Sequence, residues 1–153
     1  MRRTSPKRGM SLMELIAVVT LLGIVSTMTV ASYRRGTIGN VYAKTDATRL
    51  YSDLRLARAR AIATGDNHFL SFGNSGSSTT YSVYRRMSDG STQLVSSPYT
   101  FYKDVQVTVS PSNPEFTFDG NALVGYTITL QGSDRTFQIV VNRVTGSAKL
   151  IAS

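Results

Sequence analysis

The stretch LIAVVTLLGIVSTMTVASY, residues 15–33, contains 19 residues without a charged side chain, between Glu14 and Arg34. At a rise of about 1.5 Å per residue, a helix of this length just crosses a hydrocarbon core of roughly 30 Å. Its apolar residues fall on every side of the helix, whereas a helix that packs on a soluble domain has one apolar face. The sequence therefore predicts a transmembrane helix.

The charges on either side of this stretch predict its orientation. Four cations precede it and two follow directly: Arg2, Arg3, Lys7 and Arg8, then Arg34 and Arg35. Because positive charge stays on the cytoplasmic side, the short N-terminus is expected in the cytoplasm and the remainder of the chain is expected to be exported.

The overall charge is positive but unevenly distributed. The chain has 17 cations and 9 acids, a net charge of +8. Removing residues 1–9 leaves 13 cations against 9 acids, so the remainder carries +4. Half of the excess thus lies in the first nine residues, which weakens a nucleic-acid interpretation. Because cysteine is absent, a disulfide framework and a thiolate metal site are excluded.

Two simple alternatives compete for the apolar stretch. One is a cleaved secretory signal, with Thr29-Val30-Ala31 as a loose cleavage site. The other is a plain N-terminal anchor. Neither alternative accounts for Glu14, because a carboxylate at the edge of a membrane segment is unfavourable and indicates a function.

Residues 7–16, KRGMSLMELI, resemble the class III signal of type IV prepilins and pseudopilins. In that family a basic leader ends in glycine, cleavage follows the glycine, and a glutamate lies five residues beyond the cut. The glycine here is Gly9, the new N-terminus is Met10 and the glutamate is Glu14. Met10 departs from the usual phenylalanine but is also bulky and apolar.

This resemblance implies a processing and assembly pathway. Prepilin peptidase would cut between Gly9 and Met10 and methylate the new amine, while the apolar helix stays attached. In a filament, the Glu14 carboxylate would pair with the terminal ammonium of Met10, either on a neighbouring subunit or on its own chain, because opposite charges attract strongly in a low-dielectric bundle. Such an ion pair would set the axial register between subunits. The implied partners are prepilin peptidase and other pilins or pseudopilins. The implied location is the bacterial inner membrane, with one membrane pass and an extracytoplasmic C-terminal domain.

After the charged pair the helical pattern becomes amphipathic. One apolar stripe contains Ala47, Leu50, Leu54, Ala57 and Ala61, and Tyr51 and Ile62 are expected to widen it. The opposite, polar face is expected to include Lys44, Asp46, Arg49 and Asp53. Near the start of this part, Gly36 and Gly39 are expected to interrupt the junction between the apolar and the amphipathic halves of the helix. Gly65 is expected to end the helix. The predicted organisation is a leader at 1–9, an assembly helix at 10–33, its amphipathic continuation at 34–65 and a β domain at 66–153.

The β domain is predicted from short alternating segments separated by turn residues. These segments are 69–72, 81–84, 92–95, 100–109, 115–118, 126–130, 136–141 and 148–151. The predicted fold class is therefore α+β, a long N-terminal helix packed on an antiparallel sheet or sandwich of about seven strands.

Three segments resemble a narrower group, the H-type (GspH) minor pseudopilins and the FimT- and FimU-type minor pilins. They are ARARAI at 57–62, FTFDG at 116–120 and the Thr145-Gly146 pair near the end. The group usually has arginine after that glycine, where this chain has Ser147. The resemblance implies a minor subunit of a type II secretion or type IV pilus filament, assembled near its tip.

The sequence contains no recognisable catalytic or phosphate-binding motif, so we expect no enzymatic activity and no cofactor. The single histidine, His68, is expected at the surface or at a strand edge, and no metal site is expected.

DNA binding is the alternative function for the exported domain. Some FimT-like pilins are associated with DNA uptake through a basic G-R-x-R or G-R-x-K patch, and this chain has Gly146-Ser147-Ala148-Lys149. Possible further contacts are Arg143, Arg85 and Arg86, although Arg85 and Arg86 must point to opposite faces of a strand.

Overall fold

A computed structural model of the protein describes residues 11–111 and 113–153, with side chains outside residues 27–36. The helix α1 spans Leu12–Thr64 and precedes all the strands. The chain divides into two compact units, residues 1–35 and residues 36–153. The predicted leader and cleavage position, including Gly9 and Met10, lie outside the described residues.

The first unit contains the N-terminal half of α1. The N–H groups of Glu14 and Leu15 donate to the carbonyl of Ser11, at 3.0 and 3.1 Å. Further along, Thr20 Oγ1 lies 2.9 Å from the carbonyl of Ile16, so its hydroxyl is satisfied within the helix. None of the helical residues that the structure describes form a stretch both long and apolar enough to cross a membrane. The predicted span includes residues 27–33, whose side chains lie outside the described set.

The second unit contains the C-terminal half of α1 and the β domain. The nine strands seen in the described residues are β1 (Asn67–Ser75), β2 (Ser78–Arg86), β3 (Thr92–Leu94), β4 (Tyr99–Thr100), β5 (Gln106–Ser110), β6 (Glu115–Phe116), β7 (Tyr126–Gln131), β8 (Thr136–Val141) and β9 (Ala148–Ala152). They form two sheets. The first has the order β3-β2-β1-β6 with β4 also on β2, and the second has the order β5-β7-β8-β9. All pairs between these strands are antiparallel.

The predicted α+β class, with a helix packed on antiparallel sheet, is confirmed. The predicted segment 100–109 is divided, because its start belongs to β4 in one sheet and its end to β5 in the other. Phe101 and Val105 are buried where the chain crosses between the sheets. Because the chain stays packed against the core as it changes sheets, the apolar content of the segment does not reveal the crossing.

The predicted helix interruption at Gly36 and Gly39 is wrong, since α1 is continuous through both residues. Gly39 serves a close approach instead. A Cβ atom there would lie 2.2 Å from Oγ of Ser133, in the turn between β7 and β8. The neighbouring Asn40 Oδ1 accepts the N–H groups of Asp134 and Arg135 in that turn, at 3.0 and 3.1 Å.

The predicted apolar stripe of α1 forms the centre of the core. Its five alanines and leucines are at most 1 % exposed, whereas Ile62, which was expected to widen the stripe, is 52 % exposed. They share one buried cluster with Leu70 and Phe116 of the first sheet and with Ile128, Leu130 and Ile139 of the second. Gly65 has a φ of +73° directly after the last helical residue, as expected of a glycine that ends a helix.

Asp46 was expected on the polar face of α1 but is fully buried. Its carboxylate accepts the hydroxyl of Tyr99 at 2.6 Å and the N–H of Tyr102 at 3.0 Å. The rings of Tyr42 and Tyr102 also stack, with centroids 4.0 Å apart. Burial raises the pKa of the Asp46 carboxyl, against the lowering effect of its two hydrogen bonds. This helix residue therefore anchors the segment after β4.

The prediction that His68 lies at the surface or a strand edge is wrong. The residue is 2 % exposed, and β1 runs between β2 and β6 at this position. Its Nδ1 lies 3.2 Å from the carbonyl of Asp66, which makes Nδ1 the donor. Burial lowers the pKa of the His68 imidazole, and the nearby Arg85 and Arg60 lower it further.

Candidate assembly surfaces

The N-terminal half of α1 presents an unusual surface. Ten large apolar side chains between Leu12 and Val25 are each at least 43 % exposed: Leu12, Met13, Leu15, Ile16, Val18, Val19, Leu21, Leu22, Ile24 and Val25. A contiguous apolar surface of this kind indicates contact with lipid or with other protein. Glu14 is the acidic residue in the first turn of the helix. Its carboxylate is next to the positive end of the helix dipole, which is favourable.

The three segments that carry the narrower resemblance meet at one point in the second unit. Nε of Arg58, in the ARARAI helix segment, donates to the carbonyl oxygen of Gly120 at 2.9 Å. Gly146 packs on the same carbonyl, since a Cβ on Gly146 would lie 2.0 Å from that oxygen. A Cβ on Gly120 would lie 2.7 Å from Cδ1 of Ile62, the last residue of the helix segment.

Both glycines at this junction also require glycine for their backbone. Gly120 has a φ of +82° and Gly146 a φ of +59°. A residue with a Cβ is disfavoured in this region of φ, and here it would also strike a neighbour. The sequence identified these residues only as motif positions. That they contact one another follows from long-range packing, since Arg58 and Gly120 are 62 residues apart.

Ser147 occupies the position at which arginine is usual in the resembling group. Its hydroxyl lies 2.7 Å from that of Thr145, and its N–H is 3.3 Å from the same Thr145 oxygen. The side chain thus interacts with its own turn.

A groove lies beside this junction. Its helical wall is formed by Tyr51, Ser52, Arg55, Leu56, Arg58, Ala59 and Ile62, and its other wall by Gly146, Ser147 and Ala148. Its volume is about 660 Å³. The groove therefore borders both the ARARAI segment and the first residue of β9.

The basic residues that were candidates for DNA contact differ in their surroundings. Nε of Arg85 donates to Oδ2 of Asp66 at 2.7 Å. Arg86 forms a two-pronged ion pair with Glu115, with both hydrogen bonds at 3.1 Å. The two arginines thus contact different carboxylates, as expected from opposite strand faces. Arg143 and Lys149 are exposed.

His68 lies near two arginines, Arg60 and Arg85. Among residues 11–111 and 113–153, no group of three or more His, Cys, Asp or Glu side chains could hold a metal ion. Arg60, Arg85 and His68 line a separate cavity of about 350 Å³.

Comparison with known proteins agrees with the narrower resemblance. Residues 46–146, about two thirds of the chain, match the model of a family described as type II transport protein GspH. No curated protein sequence matches the chain.

Solved structures share the fold at low sequence identity. The minor pseudopilin EpsH of the type 2 secretion system of Vibrio cholerae has a TM-score of 0.61 at 15 % identity, over 72 % of this chain and 96 % of EpsH. The type IV minor pilin FimU of Pseudomonas aeruginosa has a TM-score of 0.58 at 13 % identity, over 71 % of this chain and 87 % of FimU. Because the family match covers the helix segment and both glycine turns, the chain belongs to the GspH family of type II transport proteins.

Proposed function

We propose that this chain is a minor subunit of a type II secretion or type IV pilus filament and assembles through the N-terminal half of α1, near the filament tip. The observation that carries the proposal is the row of large, exposed apolar side chains around Glu14, two of which precede it and eight of which follow it. The GspH family match supports the same class of protein, and both solved relatives are minor subunits by name. We assign the chain no catalytic role.

The apolar side chains of this surface would be covered by lipid before assembly and by other subunits after it. Before assembly, residues 10–33 would lie in the inner membrane, with the short N-terminus in the cytoplasm and the β domain on the outer side. After assembly, the same side chains would pack against neighbouring helices. The Thr20 and Ser26 hydroxyls suit both environments, because each is bonded to a carbonyl of its own helix, at 2.9 and 2.7 Å.

Glu14 would provide the register of assembly. An unpaired carboxylate in an apolar bundle is strongly penalised, whereas a carboxylate paired with a cation is tolerated. Cleavage after Gly9 by prepilin peptidase would create such a cation at the amine of Met10, which stays a cation when it carries one methyl group. A neighbouring subunit displaced along the axis would lose this pair, so that one axial position is favoured.

Replacing Glu14 tests the proposal. Glu14→Gln keeps the size of the side chain but removes its charge, and Glu14→Asp is the matched control that keeps the charge. We expect both variants to insert in the membrane, whereas cross-linking into filaments is lost in Glu14→Gln and retained in Glu14→Asp. Normal incorporation of Glu14→Gln would refute the role of the ion pair.

Intact-mass spectrometry of membrane-purified protein tests the processing. A product that begins at Met10 with one added methyl group is expected. A product that begins at Ser32, after the small residues of the alternative signal, would refute the filament proposal, because the apolar helix would have been removed.

A further inference from the structure

The strand β9 is the last strand of its sheet, and its outer edge is open. Among the described residues, β9 pairs with β8 alone. Ser153 and Thr136 exchange both of their backbone hydrogen bonds, at 2.9 and 3.2 Å. Because bonded and non-bonded pairs alternate in an antiparallel ladder, the N–H and C=O groups of Ala148, Leu150 and Ala152 point away from β8. These groups are able to pair with one more strand.

The groove lies beside this open edge. From Tyr51 to Ile62 its helical wall rises about 16 Å, at about 1.5 Å per residue. An extended segment of about five residues has the same length, at about 3.4 Å per residue. A strand added at the edge of β9 would therefore also cover the side of α1 that forms the helical wall of the groove.

The lining of the groove defines the chemistry of the segment that fits it. Leu56 and Ile62 are 45 % and 52 % exposed, which provides an apolar surface. Arg55 and Arg58 add two cations, and none of the described residues that line the groove is acidic. Arg58 uses Nε on the carbonyl of Gly120, and the guanidinium of Arg55 lies 5.6 Å from the centre of the Tyr51 ring.

We propose that an extended, acidic segment of a neighbouring filament subunit adds to β9 as a fifth strand of this sheet. Its backbone pairs with Ala148 and Leu150, its apolar side chains contact Leu56 and Ile62, and a carboxylate pairs with Arg55. Strand addition of this kind takes its affinity from main-chain hydrogen bonds and its specificity from side-chain pockets. The inference rests on the proposed filament function and names the surface that receives a neighbour.

Lys149 is consistent with this partner. A lysine on an edge strand discourages pairing with chains of any kind. Here the same charge favours an acidic strand over an apolar or basic one, because like charges repel. The edge is therefore selective.

Duplex DNA fits the groove less well than a protein segment. Phosphate contacts need several clustered cations, whereas apolar side chains occupy much of this surface. The free main-chain groups of an edge strand also match another strand and not a duplex. DNA contact is retained as an outcome of the experiment.

Site-specific photo-cross-linking of the full chain, in membranes that contain its filament partners, tests the inference. A photo-reactive residue replaces Leu56 in the groove, or Leu94 in the other sheet as the control. The two positions are matched in exposure, at 45 % and 50 %. We expect the probe at Leu56 to cross-link to an extended, acid-containing segment of another pilin subunit, which peptide mass spectrometry identifies. The yield from the probe at Leu94 should be about tenfold lower, a difference equivalent to ~1.4 kcal/mol of binding.

Two variants test the two recognition elements. Ala148→Pro removes an outward N–H but no bond to β8, and Arg55→Glu reverses one exposed charge of the groove without touching the sheet. We expect each to lower the Leu56 cross-link several-fold, and Arg55→Glu to lower it more than Ala148→Pro, since a hydrogen bond to a charged group is stronger than a neutral one. Arg135→Glu, an exposed charge reversal in the β7–β8 turn, is the control and should leave the yield unchanged.

The outcomes separate this inference from the proposed function. If the chain enters filaments but Leu56 yields no cross-link, or yields one to a helix or to DNA, the strand-addition inference is overturned and the filament function stands. An unchanged yield in Arg55→Glu would also overturn it. If the unmodified chain never enters filaments, both proposals fail.

Discussion

Replacing Gly146 by alanine should destabilise the second unit much more than replacing another glycine with the same backbone conformation. Gly146 has a φ of +59°, and an added Cβ would lie 2.0 Å from the carbonyl oxygen of Gly120. Gly76, in the turn between β1 and β2, has a φ of +62° and nothing within 4 Å of such a Cβ. The pair therefore separates backbone strain from the steric clash at the junction.

The expected magnitudes follow from these two surroundings. A left-handed conformation costs alanine about 1–2 kcal/mol, of which ~0.4–1 kcal/mol is offset by the lower entropy of the unfolded chain. Gly76→Ala should therefore lose about 1 kcal/mol. In Gly146→Ala the carbonyl of Gly120 must also move away from Arg58, and a hydrogen bond to a charged donor contributes ~1.5–3 kcal/mol. The expected total is about 2.5–4 kcal/mol.

Urea denaturation of the full chain in detergent micelles, followed by tyrosine near-ultraviolet circular dichroism, measures both effects. With a urea dependence of ~2 kcal/mol per molar, the midpoint of Gly146→Ala should lie ~0.8–1.5 M below that of Gly76→Ala. The double variant Gly146→Ala with Arg58→Met should lose less than the sum of the single losses, because both changes remove the same hydrogen bond. Equal losses for the two glycine variants, or full additivity with Arg58→Met, would refute the role of this junction.

Two further predictions concern buried ionisable groups. The pKa of the His68 imidazole is lowered in the folded state. The neutral imidazole therefore contributes to the free energy of unfolding above the unfolded-state pKa of 6.5, and this contribution is lost as the pH falls from 6.5 through the folded-state pKa. Urea midpoints should therefore decrease from pH 7.5 to pH ~5 in the wild type and decrease less in His68→Gln; parallel curves would contradict this. The pKa of Asp46 is raised from 3.8, so stability falls as the pH rises above 3.8 through the folded pKa. Asp46→Asn should remove this pH-dependent loss and keep both hydrogen bonds, one from the N–H of Tyr102 and one to the hydroxyl of Tyr99. Asp46→Ala should instead cost about 1–3 kcal/mol of stability at pH 7. Similar urea midpoints for the Asn and Ala variants at pH 7 would contradict this prediction.

The periodic parts of the fold could be predicted from the sequence. The spacing of Ala47, Leu50 and Leu54 placed them on one helical face, and this face is the core of the structure. Gly65 was correctly expected at the end of the helix. Both predictions depend on local chemistry, because periodicity and helix termination are set by residues close together in the chain.

Single polar residues were predicted less well. Asp46 was assigned to an exposed position because it is a charged residue outside the apolar stripe, and His68 because no other metal ligands surround it in the sequence. Their burial depends on partners elsewhere in the chain, namely the segment after β4 for Asp46 and the strands on either side of β1 for His68. A buried polar group is stable when such partners satisfy it, and local sequence does not reveal them.

The assembly residues Gly9, Met10 and Glu14 were identified by sequence alone, since the class III signal is a continuous string in which order and spacing carry the information. Their roles in processing and pairing stay predictions, tested by the mass and cross-linking measurements. By itself the sequence also determined the α+β class, the apolar helix half and the family motifs. Only the tertiary structure decided that Arg58, Gly120 and Gly146 meet, and that β9 leaves an open edge beside a basic and apolar groove. The physical reason is that these features arise from contacts between distant segments, whose positions depend on how the two sheets and α1 pack together.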